Sequence, residues 1–205
     1  MATVEKPAPE KVSDQLERWL KGDRQKTLGG LIDAFGEGSF ALSFVMLMAV
    51  PALPLPTGGV THVFEVIVML LALELIVGRR TVWLPERWRR LELTGARQEK
   101  FIATLLRRIR TLERFSRPRA RWLFGHHLSG SVFGVVVLGL AVSAFLAPPF
   151  SGLDTLPSLG VVVLALGYLL ADIVLASVGL LIGALGVASV IFLGSIAVKA
   201  VKSVF

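Results

Sequence analysis

The stretch VPALPLPTGGVTHVFEVIV, residues 50–68, places three prolines and two glycines inside an apolar run that extends from residue 40 to residue 77. Proline removes a backbone donor and glycine permits conformations that other residues avoid, so this segment ends one helix and turns the chain before the next. In lipid, such a break must lie at an interface or be shielded by protein or a water-filled cavity. It therefore predicts either a surface hairpin turn or the tip of a re-entrant loop.

The composition predicts a membrane protein. Of the 205 residues, 54% are hydrophobic and 18% are charged, against roughly a quarter charged in soluble proteins. The apolar blocks at 39–78 and 128–198 each exceed the about 20 residues that one helical crossing needs, so each block holds at least two helices. The expected fold is all-α and polytopic. The chain has no cysteine, which excludes disulfides and thiolate metal sites.

The positive charge of the chain is concentrated between the two apolar blocks. Residues 79–121 contain fourteen Lys and Arg against four Asp and Glu. A basic segment between membrane blocks is typical of a cytoplasmic loop rather than of nucleic-acid binding. The N-terminal residues lack the pattern of a cleaved signal, so we expect the N-terminus in the cytosol and a multi-pass protein with no nucleic-acid partner.

These features predict five segments. They are a cytosolic amphipathic segment at 1–38, a membrane repeat at 39–78 with its break at 51–59, a basic linker at 79–127, a second membrane repeat at 128–172 with its break at 147–158, and a C-terminal membrane helix and tail at 173–205. The last helix is rich in small residues: Gly179, Gly183, Gly186 and Gly194. Small residues let membrane helices pack closely, so this helix lies inside the bundle or at a contact between two copies of a homodimer.

The basic linker contains an amphipathic helix at 97–114. Its apolar residues fall within about 140° of the helical wheel, and the basic residues Lys100, Arg107, Arg108, Arg110 and Arg114 lie outside that arc. Such a helix either lies on anionic lipid head groups at the membrane surface or packs beneath the cytosolic side of the same protein.

The two apolar blocks resemble each other. At an offset of 94, Pro54, Thr57 and Gly58 align with Pro148, Ser151 and Gly152, and at an offset of 93 the LALE at 71–74 aligns with the LALG at 164–167. The helix breaks consist of Pro51, Pro54, Pro56, Gly58 and Gly59 in the first block and Pro148, Pro149 and Gly152 in the second. Broken helices at related positions of two halves are typical of transporters, and either parallel or inverted repeats fit the pattern.

Ionisable residues follow the two breaks. His62 precedes Glu65 by three residues on one helical face, close to Thr57, and Ser151 and Asp154 occupy the corresponding region of the second block. A carboxylate in a membrane segment usually has a partner or a function, so these five residues predict a polar pocket for a proton, a cation or a head group. In the alternative interpretation, the polar residues lie in water at the tips of two turns. Asp172 is expected to cap the last helix.

Signatures of enzymes are missing from the sequence. It contains no Gly-rich phosphate loop, no His-Glu-x-x-His and no G-x-S-x-G motif. We therefore expect neither an enzyme nor a bound cofactor or metal.

The segment VPALPLPTGGVTHVFEVIVMLLALELIVGRRTVWLPERW resembles the ExoD family of bacterial exopolysaccharide-synthesis proteins, and the similarity extends from LGGLIDAFGEGSF nearly to the C-terminus. Its most specific parts are the Pro-Leu-Pro-x-Gly break and the GRR..WLP helix exit. The resemblance implies a bacterial inner-membrane protein involved in polysaccharide production, and it supplies no catalytic residues. Thr57, and the ADIV at 171–174, depart from the family pattern.

The leading functional hypothesis is assistance in the transport or assembly of a polysaccharide or its polyprenyl-phosphate-linked precursor. Two alternatives remain: an ion or proton transporter that affects polysaccharide indirectly, and a non-transporting scaffold that recruits other proteins through the basic helix.

Overall fold

The computed structural model describes residues 11–22, 26–53, 60–83, 85–90, 92, 95–115, 127–148 and 151–204. This part of the chain is helical and contains no strand beyond an isolated bridge between Thr27 and Glu92. The helices are α1 (Val12–Lys21), α2 (Leu28–Phe35), α3 (Ser39–Met48), α4 (Val60–Ile76), α5 (Glu86–Arg89), α6 (Ala96–Phe115), α7 (His127–Leu146), α8 (Thr155–Leu169) and α9 (Ile173–Val204), and a 3₁₀ turn at Gly36–Gly38 precedes α3. The all-α class is thus confirmed over these residues.

The chain divides into two compact units. The first combines Met1–Phe35 with Leu84–Phe115, and the second combines Gly36–Trp83 with Ser116–Phe205. The sequence-based division kept the N-terminal segment and the basic linker apart. In the structure they form one unit, because α1 packs against α6 and α2 packs against α5.

Contacts between α1 and α6 explain the first unit. Leu16 and Ile109 are fully buried there. Glu113 of α6 accepts hydrogen bonds from the backbone N–H of Ser13, at 3.0 Å, and from the Ser13 hydroxyl. The carboxylate of Glu113 therefore satisfies a free amide at the start of α1, where helices lack backbone partners.

The second unit is built around four helices. α3 packs against α4 and α8, α7 packs against the same two helices, and α9 covers α8 and α7. Aromatic rings fill the interior: Phe133 lies against Phe44 and stacks on Tyr168 with 4.1 Å between ring centroids. These contacts join α3, α7 and α8 in one core.

Two helices of the second unit are long and apolar enough to cross a membrane. Their candidate spans are Ser129–Leu146 in α7 and Ile173–Leu193 in α9. The apolar helices α3 and α8 have 10 and 15 residues, which corresponds to about 15 and 22 Å of helix, shorter than the roughly 30 Å hydrocarbon core. Large apolar side chains such as Leu181, Leu185 and Phe192 point outward from α9.

Glycines hold α8 and α9 close together. A Cβ atom at Gly160 would lie 2.4 Å from the Cα of Gly183, and one at Gly179 would lie 2.2 Å from the backbone nitrogen of Leu164. Of the two roles predicted for the small residues of α9, packing inside the bundle is the one the structure shows for Gly179 and Gly183. Small residues allow this approach of two backbones.

The second helix break is shorter than predicted. α8 begins at Thr155, not after residue 158, and Pro157 lies in its first turn. Proline is tolerated there because the first amides of a helix have no intrahelical acceptor. The predicted break at 147–158 includes Pro157, which the structure places inside α8.

Helices α4 and α8 end in the same way. After α4, Gly78 has φ 94°, and the N–H groups of Gly78 and Arg79 donate to the carbonyls of Leu75 and Glu74. After α8, Ala171 and Asp172 repeat this bonding to Tyr168 and Gly167, with Ala171 at φ 52°. Both exits are Schellman motifs with a left-handed residue after the helix.

Asp172 then caps α9 as predicted. Its Oδ1 accepts hydrogen bonds from the backbone N–H groups of Val174 and Leu175, at 2.9 and 3.3 Å. A carboxylate at this position satisfies free amides at the start of a helix.

Candidate functional site

The centre of the candidate site is a histidine–glutamate pair in the first turns of α4. His62 and Glu65 lie on one face because residues three apart in a helix are neighbours. The Nδ1 of His62 and the Oε2 of Glu65 are hydrogen-bonded to each other at 2.6 Å. The imidazole also packs against the Phe145 ring of α7, with 5.2 Å between ring centroids. The pair is thus held between α4 and α7.

Glu65 is the more deeply placed partner. Its side chain is 0% exposed, whereas that of His62 is 24% exposed. The second carboxylate oxygen, Oε1, is buried and has no hydrogen-bond partner in the part of the chain that the structure describes. An ionised or polar oxygen in such a position is destabilising unless something binds it. His62 therefore connects a buried carboxylate to the surface of the unit.

A second buried oxygen lacks a partner. Ser158 in the first turns of α8 is 0% exposed, and its Oγ has no hydrogen-bond partner among the described residues. Its backbone N–H donates to the carbonyl of Asp154, one turn earlier. Ser158 was not predicted as a site residue.

Asp154 is the acidic residue nearest in effect to the His62–Glu65 pair. It directly precedes α8, is partly buried and makes no side-chain bond to the start of that helix. Its carboxylate is near enough to act electrostatically on Glu65. The structure thus joins His62 and Glu65 by direct contact, with Asp154 within electrostatic range of Glu65. We call these three residues, together with Ser158 one turn after Asp154, the polar seam.

The remaining predicted pocket residues do not join the seam in the described structure. Ser151 is exposed, and its hydroxyl donates to the carbonyl of Pro148 at 2.6 Å and accepts the N–H of Leu153 at 3.2 Å. It stabilises its own turn, in which Gly152 has φ 68°. Thr57 lies outside the described residues.

The structure describes different parts of the two predicted helix breaks, at 51–59 and 147–158. In the first, Pro51 is buried after the end of α3, while Pro54, Pro56, Gly58 and Gly59 lie outside the described residues. In the second, Pro148 and Gly152 are exposed, and Pro149 lies outside the described residues. The fully buried polar groups thus lie on the first turns of α4 and α8, whereas Ser151 and Gly152 are exposed.

The arginines predicted to face a membrane surface belong to α6. Arg107, Arg108 and Arg114 are exposed. Arg110 pairs with Glu17 of α1, which also binds Lys21 at 2.7 Å. The hydrogen bond from Lys21 lowers the pKa of Glu17, and Arg110 acts in the same direction. The helix thus packs on α1 along one side and leaves Arg107, Arg108 and Arg114 exposed. The side chain of Lys100 lies outside the description.

The first unit also contains an open cleft of about 1230 Å³ lined by residues of α1, α2 and α5, with Trp19 in its wall. Its charged side chains pair with one another: Arg89 with Asp33 at 2.7 Å, and Arg90 with Glu86 at 3.4 Å. Because the charges are balanced, the cleft favours neither an anion nor a cation.

Within the described residues, no group of three or more His, Asp or Glu side chains has an arrangement that could hold a metal ion. The seam thus contains two carboxylates and one imidazole without forming a metal site of that kind. Its carboxylate, imidazole and hydroxyl groups can accept and donate hydrogen bonds, and its carboxylates and imidazole can bind and release protons.

Comparison with known proteins identifies the family. Residues 12–192 match the family described as exopolysaccharide synthesis, ExoD. The chain belongs to the ExoD family. The predicted resemblance is therefore confirmed, and membership implies involvement in exopolysaccharide synthesis. Together with the two apolar helices α7 and α9, it indicates membrane association.

A similar protein from Synechocystis sp. (strain PCC 6803) is described as an uncharacterized protein. It is 27% identical to this ExoD chain over 178 residues, which cover 85% of this chain and 83% of the relative. No solved structure matches the chain significantly.

Proposed function

We propose that this chain is a multi-pass inner-membrane protein that assists the transport or assembly of a polysaccharide or its lipid-linked precursor, with the polar seam as its working element. The single observation that carries the proposal is the complete burial of Glu65 beside His62. A buried carboxylate is costly in an apolar bundle and usually has a functional reason to be there.

The distribution of charge supports the topology. The sequences of α3, α4, α7 and α8 contain no Lys or Arg, whereas residues 79–121 are strongly basic. By the positive-inside rule, the basic segment lies in the cytoplasm, so the first apolar block ends and the second begins on that side of the membrane. The polar seam, at the starts of α4 and α8, then lies toward the opposite side of the membrane.

Matched burial supports the proposal that the two halves are repeats. Four residues of α4 are buried together with the residues 93 positions later in α8. The pairs are Glu65 with Ser158, Val68 with Val161, Leu71 with Leu164, and Ala72 with Ala165. Hydrophobic similarity alone would not align two polar residues at the same buried position.

The packing and the helix exits agree with this offset. α3 packs on α8 and α7 packs on α4, so exchanging the two halves reproduces the same contacts. The left-handed residues Gly78 and Ala171 are also 93 positions apart. Such reciprocity is the pattern expected of a transporter built from two related halves.

The test is polymer output in a strain that depends on this chain. Glu65→Gln keeps the shape of the side chain and removes its charge, and His62→Ala removes its partner. Both variants should abolish output at unchanged protein level in the membrane. Ser151→Ala serves as the control, because the Ser151 hydroxyl bonds only within its own exposed turn, and it should leave output normal.

Normal output from both Glu65→Gln and His62→Ala would disprove the proposal. A larger loss from charge reversal at the exposed Arg107 and Arg108 than at Glu65 would instead favour a scaffold that acts through α6.

A second candidate function is ion or proton transport, which the hydrogen-bonded His62–Glu65 pair favours because imidazole and carboxylate both exchange protons. Proteoliposomes should then show flux that follows a pH gradient in the absence of polysaccharide and that is lost in Glu65→Gln. Absence of flux in the wild-type protein would remove this candidate.

We also propose a homodimer. Because Gly179 and Gly183 contact α8 of the same chain, the dimer contact would use the outward apolar side of α9. Crosslinking between cysteines introduced at Leu181, in a chain without any of its own, tests this face.

A further inference from the structure

The exposed side of α6 carries arginines that lie outside the polar seam. The exposed side chains that the structure describes on this helix are Ala103, Thr104, Arg107, Arg108, Arg110, Thr111 and Arg114. Because successive helical residues turn by about 100°, Ala103, Arg107 and Arg114 fall within about 40° of one another. We call these three residues, with Arg108, the arginine face of α6.

The arginine face has an excess of positive charge. Among the described residues, the ion pairs of this unit involve other basic side chains: Lys21, Arg89, Arg90 and Arg110. Glu113 of α6 is engaged elsewhere, since it accepts hydrogen bonds from Ser13 of α1. Over its whole sequence α6 has six Lys and Arg against two Glu. The face therefore suits an anionic partner.

The apolar side of α6 is already covered by protein. The helix packs against α1, and Ile109, roughly opposite the arginine face, is fully buried. Leu106 is half-buried. An amphipathic helix that binds a membrane by insertion uses its apolar side for this purpose. The described part of α6 therefore offers a partner charge and not large apolar side chains.

Short connections join the unit that contains α6 to apolar helices. Only residues 36–38 separate the first part of this unit from α3, and only residues 77–83 separate the end of α4 from its second part. A short tether gives the tethered group a high effective concentration at a nearby surface. The anionic partner most accessible to the arginine face is thus the membrane that holds the apolar helices.

We propose that the arginine face of α6 binds the phosphate groups of an anionic lipid surface, by charge and without insertion of apolar side chains. Guanidinium groups form strong, often bidentate hydrogen bonds with phosphate. Each Lys or Arg near an anionic membrane surface strengthens binding about fivefold. This contact belongs to the first unit and does not depend on the proposed role of the polar seam.

A fluorescent label on the arginine face tests the contact in the full-length protein. Because the chain has no cysteine, Ala103→Cys creates a single labelling site one helical turn from Arg107. The labelled protein is reconstituted in nanodiscs that contain phosphatidylcholine with a quencher on its head group. The remaining lipid is either phosphatidylcholine alone or a mixture with phosphatidylglycerol.

The label should be quenched in the anionic discs and not in the neutral discs. Salt at about 1 M should restore the fluorescence, because it shortens the Debye length to about 3 Å. An inserted apolar side would instead keep its contact with lipid at high salt.

Asp14→Cys provides a matched labelling position in the same unit. Asp14 is exposed on α1, roughly opposite Leu16, which is buried. A label at this position should stay unquenched in both kinds of disc. Equal quenching of the labels at 14 and 103 would contradict a contact made by the arginine face.

Removal of two charges tests the arginines themselves. In the Ala103→Cys protein, Arg107→Gln combined with Arg114→Gln should lower the ratio of quenched to unquenched label about thirtyfold, the product of two fivefold losses. Both side chains are exposed, so the unfolding midpoint should not change. Lys11→Gln combined with Arg87→Gln is the charge-matched control, since both residues are exposed outside α6, and it should leave the quenching in place.

The proposal is overturned by equal quenching in neutral and anionic discs, by quenching that survives high salt, or by equal behaviour of the two double variants. Absence of quenching in both kinds of disc also overturns it and leaves a protein partner as the occupant of the arginine face. The discs contain no polysaccharide, so failure of this test leaves the proposed function standing. Normal polymer output from Glu65→Gln and His62→Ala would in turn leave the lipid contact standing.

Discussion

Helices α4 and α8 share several buried positions at an offset of 93 and differ at positions beside them. Val68 and Val161 are both fully buried at matching positions. Yet α8 has Gly160 where α4 has Ile67, and Gly167 where α4 has Glu74. The two glycines admit the backbone of α9, with Gly160 against Gly183 and Gly167 against Ala176. The difference teaches that packing in the four-helix core determines the buried positions that α4 and α8 share, such as Val68 and Val161. The contact with α9 determines the residues at Gly160 and Gly167.

The largest loss of stability is expected when α8 receives, at position 160, the isoleucine that α4 has at position 67. Gly160→Ile places a branched side chain where even a Cβ would lie 2.4 Å from the Cα of Gly183. Because backbone cannot move aside as a flexible side chain does, we expect a loss of about 3 kcal/mol or more, at the upper end for overpacked cores. Thermal unfolding in detergent and the yield of monodisperse protein measure it.

The reciprocal change, Ile67→Gly, is the control. It should lower stability by about 1 kcal/mol through helix propensity, plus lost contacts of a half-buried side chain, and leave a folded protein. If Gly160→Ile were no worse than this control, the close contact between α8 and α9 would be wrong.

A sharper test compares the shared inner faces. Val68→Ala and Val161→Ala remove the same two methyl groups from fully buried matching positions. Each should reduce the free energy of unfolding by roughly 2 kcal/mol, measured in mixed micelles by denaturant titration. Similar values support equivalent environments in the two halves. A loss confined to one of them would contradict the matched cores.

The smallest expected effect concerns the helix exits. Ala171 holds a left-handed conformation that costs an L-residue about 1 kcal/mol or more, so Ala171→Gly should raise stability by up to this amount, reduced by the entropy that glycine gains in the unfolded chain. Gly78→Ala should lower stability by a similar amount. Opposite signs in thermal unfolding are the expected result, and equal signs would contradict the shared exit geometry.

Part of the candidate site follows from sequence because it depends on short-range geometry. His62 and Glu65 are three residues apart in one helix, so their contact needs only that the helix forms. Asp154 was found through the alignment of the two halves. Ser158 was missed because a serine in an apolar helix is unremarkable until its burial is known. Ser158 aligns with Glu65 at an offset of 93, but the alignment does not show that both positions are buried.

The placement of Ser151 could not be predicted from the sequence, because it depends on which neighbours cover the residue. Ser151 aligns with Thr57 and was predicted to line the pocket, yet its hydroxyl bonds within an exposed turn. Alignment gives a residue's place along the chain and does not decide whether neighbours cover it.

The sequence by itself determined the helical class, the positions of most helices, the broken apolar blocks and the basic segment, because hydrophobic periodicity, proline and glycine act over a few residues. Only the tertiary structure decided that α1 joins α6, that the glycines of α9 face α8, and which polar oxygens are left buried without partners. These depend on contacts between residues far apart in the chain, such as Ser13 and Glu113, and the free energy of such contacts is set by what surrounds both partners and not by either local sequence.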